Sequence, residues 1–279
     1  MEKIQWHPGF YSGLELELRD YKDYLEFQTE YELSRKPLRM DILVIKKNPN
    51  VVIDDPLASF YSTHNIVEYK SPSDGLTIDD FYKVIGYALI YKGLGKSKNA
   101  ILRSEITISF YRDSCPRELI HDLKNEGATV EEVQSGIYSV EGIIDIPIYI
   151  FVISLMAPEK YLALKILKKN ASEKDIKLFT TQAIQYESQG DRNNIQAVLE
   201  VSAAANLNLF DRIKEDDLMG SALDYLMKEK YEEHEKIVRD QERLNAIRKI
   251  MNNFHVTAEG AMESLGIPKS EFKKYMMML

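Results

Sequence analysis

A carboxylate inside a continuous apolar segment is the feature that most restricts how this chain can fold. Residues 39–46 read Arg-Met-Asp-Ile-Leu-Val-Ile-Lys, a nearly unbroken apolar run that is typical of a strand buried on both faces. Asp41 lies inside this run, and a charged carboxylate is costly to bury unless it is paired or binds a cation. The segment therefore predicts a buried strand with a polar site beside it.

A second predicted strand, residues 65–70, carries Glu68 and Lys70. Side chains two residues apart on a strand project from the same face, so the carboxylate and the ammonium group are expected to be neighbours. A connecting hairpin or loop over residues 51–62 separates this strand from the strand that carries Asp41. The sequence therefore predicts one site to which two neighbouring strands contribute.

The rest of the chain predicts a mixed α/β domain with a short central sheet flanked by helices, followed by an all-helical region. The predicted elements are a helix over 9–25, strands over 25–33, 39–46 and 65–70, a helix over 77–92, a strand over 105–112, a helix over 116–125, and strands over 136–140 and 143–155. From residue 158 the pattern is helical to the end. We expect a domain over 1–157 and a helical extension over 158–279, which is a candidate for partner binding or homodimer formation.

The first helix is expected to add another acidic residue to the site. It carries Glu15 and Glu17, together with an apolar stripe at positions 10, 14, 18, 21 and 25. At 100° per residue, Glu17 lies closer to the centre of the stripe than Glu15 does, and hence closer to the sheet. We prefer Glu17 as a further metal-binding carboxylate and keep Glu15 as the alternative.

Two carboxylates and a lysine suit the hydrolysis of phosphodiesters. Mg²⁺ prefers oxygen ligands and usually takes one or two carboxylates together with waters and phosphate oxygens. Asp41 and Glu68 can supply those carboxylates, with Mn²⁺ as a substitute for Mg²⁺. Lys70 would hold or activate the attacking water and stabilise the developing negative charge. The alternative is a buried ion pair, Asp41 or Glu68 with Lys70, that serves only the fold.

The order helix, strand, strand with Asp, strand with Glu-x-Lys, helix resembles the core of the PD-(D/E)XK nuclease superfamily. More narrowly, the chain resembles the bacterial PD-(D/E)XK transposases and the Rpn-like recombination-promoting nucleases. The matching segments are Pro-Leu-Arg-Met-Asp-Ile-Leu-Val at 37–44 and His-Asn-Ile-Val-Glu-Tyr-Lys-Ser-Pro at 64–72. The resemblance covers residues 9–155, and it implies a restriction-endonuclease-like core.

The resemblance also implies roles for single residues. Asp41 and Glu68 would be metal ligands, and Lys70 would be the catalytic lysine. Superfamily members often add a Gln-x-x-x-Tyr element on the following helix; here Lys83 and Tyr87 have that spacing, with Lys in place of Gln. These two side chains either contact a phosphate or only pack.

The implied activity is that of a Mg²⁺-dependent DNA endonuclease connected with recombination, mobile elements or defence. The same site chemistry would permit RNA as the substrate. A different class of function also stays open, in which the nuclease fold is catalytically silent and serves as a binding or assembly module.

Composition limits which partners the protein can bind and where in the cell it is expected. A net charge of −8 argues against a protein that coats nucleic acid by bulk charge, so a nucleic-acid contact must use a local basic patch or metal ions. No apolar run approaches the ~20 residues of a membrane span, and no membrane partner is expected. The single cysteine excludes an internal disulfide framework. With no apolar leader segment at the N-terminus, a cytoplasmic location is expected.

Two C-terminal segments carry weaker signals. Residues 228–248 are rich in Glu and Lys, which is typical of a solvated long helix or a short coiled-coil arm. Residues 256–277 predict a helix, a turn at 266–268 and a second helix, the length of a helix-turn-helix. DNA contact and protein–protein packing both stay open for this tail.

Overall fold

The computed structural model describes residues 6–32, 39–254 and 256–279, with the backbone alone at 31, 32, 228–239, 241 and 252. Pro37 and Leu38, which begin the first segment that resembles the nuclease motif, lie outside the described residues. The chain divides into two compact units, one that ends at Leu226 and one that begins at Met227.

A seven-stranded mixed sheet forms the centre of the first unit, in the order β1-β2-β3-β4-β7-β6-β5. Its strands are β1 (Leu25–Glu32), β2 (Arg39–Lys46), β3 (His64–Lys70), β4 (Ile106–Arg112), β5 (Thr129–Gln134), β6 (Ile137–Glu141) and β7 (Ile148–Val152). β3, β4 and β7 are parallel, whereas the other neighbouring pairs are antiparallel. The α/β class with a mixed central sheet is therefore confirmed. β5 is not predicted from the sequence, because most of its side chains are exposed and polar.

The described helices are α1 (Trp6–Glu17), α2 (Ile78–Gly93), α3 (Arg117–Asn125), α4 (Leu162–Lys165), α5 (Glu173–Ala183), α6 (Gln189–Ala205), α7 (Leu207–Lys214), α8 (Asp217–Phe254), α9 (Ala258–Ser264) and α10 (Lys269–Met276). The first helix is shorter than the predicted 9–25. It gives way to a 3-10 turn at Arg19–Tyr21, and Leu25 already belongs to β1. The predicted helix at 77–92 is confirmed, and Thr77 forms its capping box with Asp80.

Both faces of the sheet are covered near β2 and β3. On one face, Phe81 of α2 stacks on Phe110 of β4 with ring centroids 5.3 Å apart. On the other face, Phe10 of α1 stacks on Tyr69 of β3, with ring centroids 4.1 Å apart. Burial on both faces accounts for the apolar run over residues 39–46, since a side chain on either face of β2 meets a packed layer.

Two glycines of α1 let the later helices pack closely against it. A Cβ placed on Gly9 would come within 2.6 Å of Val201 Cγ2 on α6, and one on Gly13 would lie 3.1 Å from Leu164 on α4. α4 and α6, which follow residue 157, therefore pack on α1. The first compact unit ends at Leu226, and the boundary near residue 157 stays a prediction from the change in composition.

The second unit has a small apolar core of its own, to which the later part of α8, α9 and α10 contribute. Its buried members are Leu244, Ile247, Ala261, Met262, Ile267 and Tyr275. The predicted helix, turn and helix near the C-terminus is confirmed by α9 and α10, with Gly266 in a left-handed conformation between them. Among the helices of the described residues, none combines the length and apolar character that a membrane span requires.

Gly9→Ala is expected to destabilise the first unit, because the added methyl group overlaps Val201. Overpacking of this kind costs about 1–3 kcal/mol. Gly86→Ala is the matched control: Gly86 also lies in a helix, and nothing is within 4 Å of the position of its Cβ. There alanine should stabilise by about 0.5–1 kcal/mol. Thermal unfolding compares the two variants, and equal effects would contradict the close packing of α1 on α6.

Candidate active site

Asp41 lies where β2 and β3 separate. Backbone pairing between these strands ends at Ile42 and Val67, although both strands continue. Beyond that pair, Asp41 Oδ2 accepts a hydrogen bond of 2.9 Å from the backbone N–H of Tyr69. The carboxylate thus satisfies a donor that the neighbouring strand no longer pairs, which is a structural reason for an acid inside this apolar strand.

Glu68 and Lys70 project from β3 toward α2, as their spacing predicts. Glu68 is buried, and its Oε1 lies 3.2 Å from Lys70 Nζ. Lys70 also donates a hydrogen bond of 2.9 Å to Oδ1 of Asp80. Burial lowers the pKa of Lys70, but the contacts with Asp80 and Glu68 outweigh it and raise the pKa above its ordinary value. Lys70 is therefore a fixed cation, suited to stabilising negative charge and not to removing a proton.

Asp80 joins the start of α2 to the site. Its side chain accepts bonds from Thr77 in the capping box and from Lys70 across the gap to β3. Burial raises the pKa of Asp80, but the hydrogen bonds from Lys70 and Thr77 outweigh it and lower the pKa to about 2. The sequence indicated Asp80 only as a helix cap, and its contact with Lys70 needs the three-dimensional distance between α2 and β3.

Lys83 and Tyr87 lie at the same edge of α2. Lys83 Nζ is 3.8 Å from Glu68 Oε1 and 3.5 Å from Asp80 Oδ1, and it lies 5.9 Å from the centre of the Tyr87 ring. Lys83 therefore lies at the site. Tyr87 packs beside Lys83 and against the apolar core under α2.

The negative charge of Asp41 on β2 acts on Glu68 of β3. Burial, and after it the negative charge of Asp41, raises the pKa of Glu68. Oδ1 of Asp41 has no hydrogen-bond partner within the described residues. A divalent cation between the two groups would offset their repulsion and use that oxygen. The chemistry of these two donors suits Mg²⁺, which usually takes one or two carboxylates with water and phosphate completing its shell.

His7, which no sequence pattern indicates as a site residue, lies beside Asp41. Its Nε2 is 3.5 Å from Asp41 Oδ2, and its ring packs edge-on against Tyr69. The hydrogen bond to Asp41 outweighs burial and raises the pKa of His7. His7, Asp41 and Tyr69 line a cleft of about 160 Å³ on the α1 side of the sheet. No periodicity in the sequence indicates this contact, since it depends on how α1 crosses β3.

The acidic residues of α1 are not at this site. Glu17 Oε1 accepts a hydrogen bond of 2.8 Å from the backbone N–H of Ala163 at α4. Glu15 accepts bonds from Tyr11 and from Asn194 of α6. The apolar stripe of α1 does face the packed interior. At Glu17, however, the neighbouring element is α4 and not the ends of β2 and β3.

No three His, Cys, Asp or Glu side chains lie close enough together to hold one metal ion in the part of the chain that the structure describes. A site with three protein carboxylates is therefore not formed, whereas the pair of Asp41 and Glu68 remains a two-carboxylate donor set. Comparison with protein-family models, with curated proteins and with solved structures gives no match to this chain.

Glu17→Gln is expected to remove a pH dependence of stability. Burial raises the pKa of Glu17 from 4.5 to about 7, so the stability of the wild type is full below pH 4.5 and falls as the pH rises through 7. The side chain keeps some access to water, and the loss should be about 2–3 kcal/mol. Gln keeps the oxygen that accepts from Ala163.

Urea unfolding at pH 4.5, 6 and 8 measures this effect. The variant should be less sensitive to pH over this range and more stable than the wild type at pH 8. Glu173→Gln, at an exposed position of α5, is the control for removing one carboxylate. Parallel stability curves for wild type and Glu17→Gln would show that Glu17 does not titrate near pH 7.

Proposed function

We propose that this protein is a Mg²⁺-dependent nuclease that hydrolyses phosphodiester bonds. One observation carries the proposal: Asp41 and the buried Glu68 lie on neighbouring strands at the point where those strands separate, with the Lys70 ammonium group 3.2 Å from Glu68. Acidic groups brought together beside a fixed cation match what phosphodiester hydrolysis requires.

Each residue has a distinct role in this proposal. Asp41 and Glu68 would hold the ion, which when bound polarises a phosphoryl oxygen and lowers the pKa of a bound water. Lys70 stays protonated and presents its charge to the negative charge that develops on the phosphate. Lys83, which is partly exposed beside Glu68, is placed to meet an incoming phosphate. His7, whose Nε2 lies 3.5 Å from Asp41 Oδ2, helps to orient Asp41.

DNA is the proposed substrate because the segments around Asp41 and Glu68 resemble those of PD-(D/E)XK nucleases of the transposase and Rpn-like type. The mixed sheet, with α1 on one face and α2 on the other, is compatible with a restriction-endonuclease-like core. Because the net charge is acidic, the metal ion and the few cations at the strand ends would have to attract the nucleic acid.

A second function is favoured by a specific observation. Asp41 accepts the N–H of Tyr69, and Lys70 donates to Asp80, so both side chains also have structural partners. A catalytically silent module would keep such contacts for the fold alone. Metal binding distinguishes the two functions, since only the nuclease needs Asp41 and Glu68 to hold an ion.

Asp41→Asn and Lys70→Met are each expected to lower Mg²⁺-dependent nicking of plasmid DNA at least ~100-fold, because each removes a charge that the transition state requires. Asn keeps an oxygen that can accept the Tyr69 N–H, so the strands should stay in place. Lys124→Ala, at an exposed position of α3, is the control for losing a lysine. Circular dichroism checks that all three variants are folded.

Calorimetric titration with Mn²⁺ completes the test. Wild type should bind the ion, and Asp41→Asn and Glu68→Gln should each weaken binding ~10-fold or more, because each replaces an anionic ligand by a neutral one. Metal binding that is absent, or indifferent to both substitutions, would rule out the nuclease and leave the silent module.

A further inference from the structure

The carboxyl ends of the parallel strands β3 and β4 bring a second cation next to Lys70. In the register of this pair, Lys70 lies opposite Arg112, the last residue of β4. Paired residues on neighbouring strands are about 4.8 Å apart across the sheet and share a face. Arg112 therefore belongs to the same face and the same edge as Lys70 and Glu68.

The guanidinium group of Arg112 is only partly satisfied. Its Nη2 donates a hydrogen bond of 3.0 Å to Ser114 Oγ. Its Nε is buried and has no hydrogen-bond partner within the described residues. Burying a donor without a partner is unfavourable, and such groups in folded proteins call for an explanation, such as a catalytic role or a bound ion.

The other cations at this edge differ from Arg112 in their partners. Lys70 and Lys83 both lie within 4 Å of Glu68 and of Asp80. The nearest acidic residue in sequence, Asp113, instead pairs with Lys168 at 3.3 Å. Arg112 thus carries a positive charge that no carboxylate of the described residues neutralises.

We propose that Arg112 binds the phosphate group on which the site acts, with its guanidinium contacting the non-bridging oxygens beside Lys70. The planar fork of an arginine matches two phosphate oxygens at once, which a lysine cannot do. This inference rests on the proposed function, since it takes the edge at Lys70 to be the place where a phosphodiester lies. It adds the group that fixes the orientation of that phosphodiester.

The test is the affinity for a fluorescein-labelled 12-nucleotide DNA oligonucleotide, measured by anisotropy in Ca²⁺ with a gel to show that the DNA stays intact. Arg112→Gln should weaken binding about 10- to 100-fold and reduce the slope of log affinity against log salt by about 1. Arg112→Lys should retain the slope but bind more weakly than wild type. Arg117→Gln, at an exposed position of α3, should bind like wild type.

A structural role for Arg112 makes a different prediction. If the side chain served the fold, Arg112→Gln would lower the melting temperature, whereas a group kept for a ligand leaves it unchanged or raises it. Unchanged oligonucleotide affinity and salt slope in Arg112→Gln would overturn the proposal, as would a wild type that does not bind the oligonucleotide.

The outcomes separate this proposal from the one on which it rests. Weaker DNA binding by Arg112→Gln, combined with a wild type that does not cleave, would keep Arg112 as a phosphate contact and reject the nuclease. Normal cleavage by Arg112→Gln, combined with loss in Asp41→Asn, would reject Arg112 and keep the nuclease. Mn²⁺ affinity should be the same in Arg112→Gln and wild type, because Arg112 is not a metal ligand.

Discussion

The hydrogen bond from the backbone N–H of Tyr69 to the carboxylate of Asp41 sets the geometry of the site. It holds β3 next to β2 at a point where the two strands have stopped pairing. Without an acceptor there, the N–H would be buried unpaired, which costs about 1–3 kcal/mol. The same carboxylate lines the cleft on the α1 side of the sheet together with His7 and Tyr69. Fold and candidate chemistry thus depend on one side chain.

The charge state of Lys70 depends in turn on the start of α2. Asp80 is fixed by Thr77 in the capping box, and this fixed carboxylate holds Lys70 protonated beside Glu68. A helix cap is therefore also part of the electrostatics of the site. This arrangement gives Lys70 the role of a permanent cation, so that any activation of water falls to the carboxylates and the ion they would hold.

The sequence was sufficient to predict the contributions that depend on local periodicity. The apolar run around Asp41 predicted β2, the two-residue spacing predicted that Glu68 and Lys70 share a face, and Thr77 predicted the start of α2. What it could not predict depends on contacts distant in sequence. The stripe of α1 shows that Glu17 is near packed protein, but its partner, Ala163, is 146 residues away.

The position of His7 and the packing of α4 and α6 also depend on contacts distant in sequence. Composition changes near residue 157, yet Gly9 and Gly13 let α4 and α6 pack on α1. A glycine in a helix does not indicate from the sequence which helix will pack against it. His7 reaches Asp41 only because α1 crosses the sheet at its particular angle. In both cases the role of a residue depends on a neighbour that is distant in sequence and close only in the folded chain.

An acidic protein can still favour a phosphate at one edge of a sheet, because charge acts locally. Screening at physiological salt limits interactions between exposed charges to roughly 8 Å, so the net charge of −8 matters less at the site than the groups beside it. There the parallel register of β3 and β4 places Lys70 beside Arg112, and α2 adds Lys83. The carboxylates of Glu68 and Asp80 offset part of the charge of the two lysines, whereas no carboxylate within the described residues forms an ion pair with Arg112.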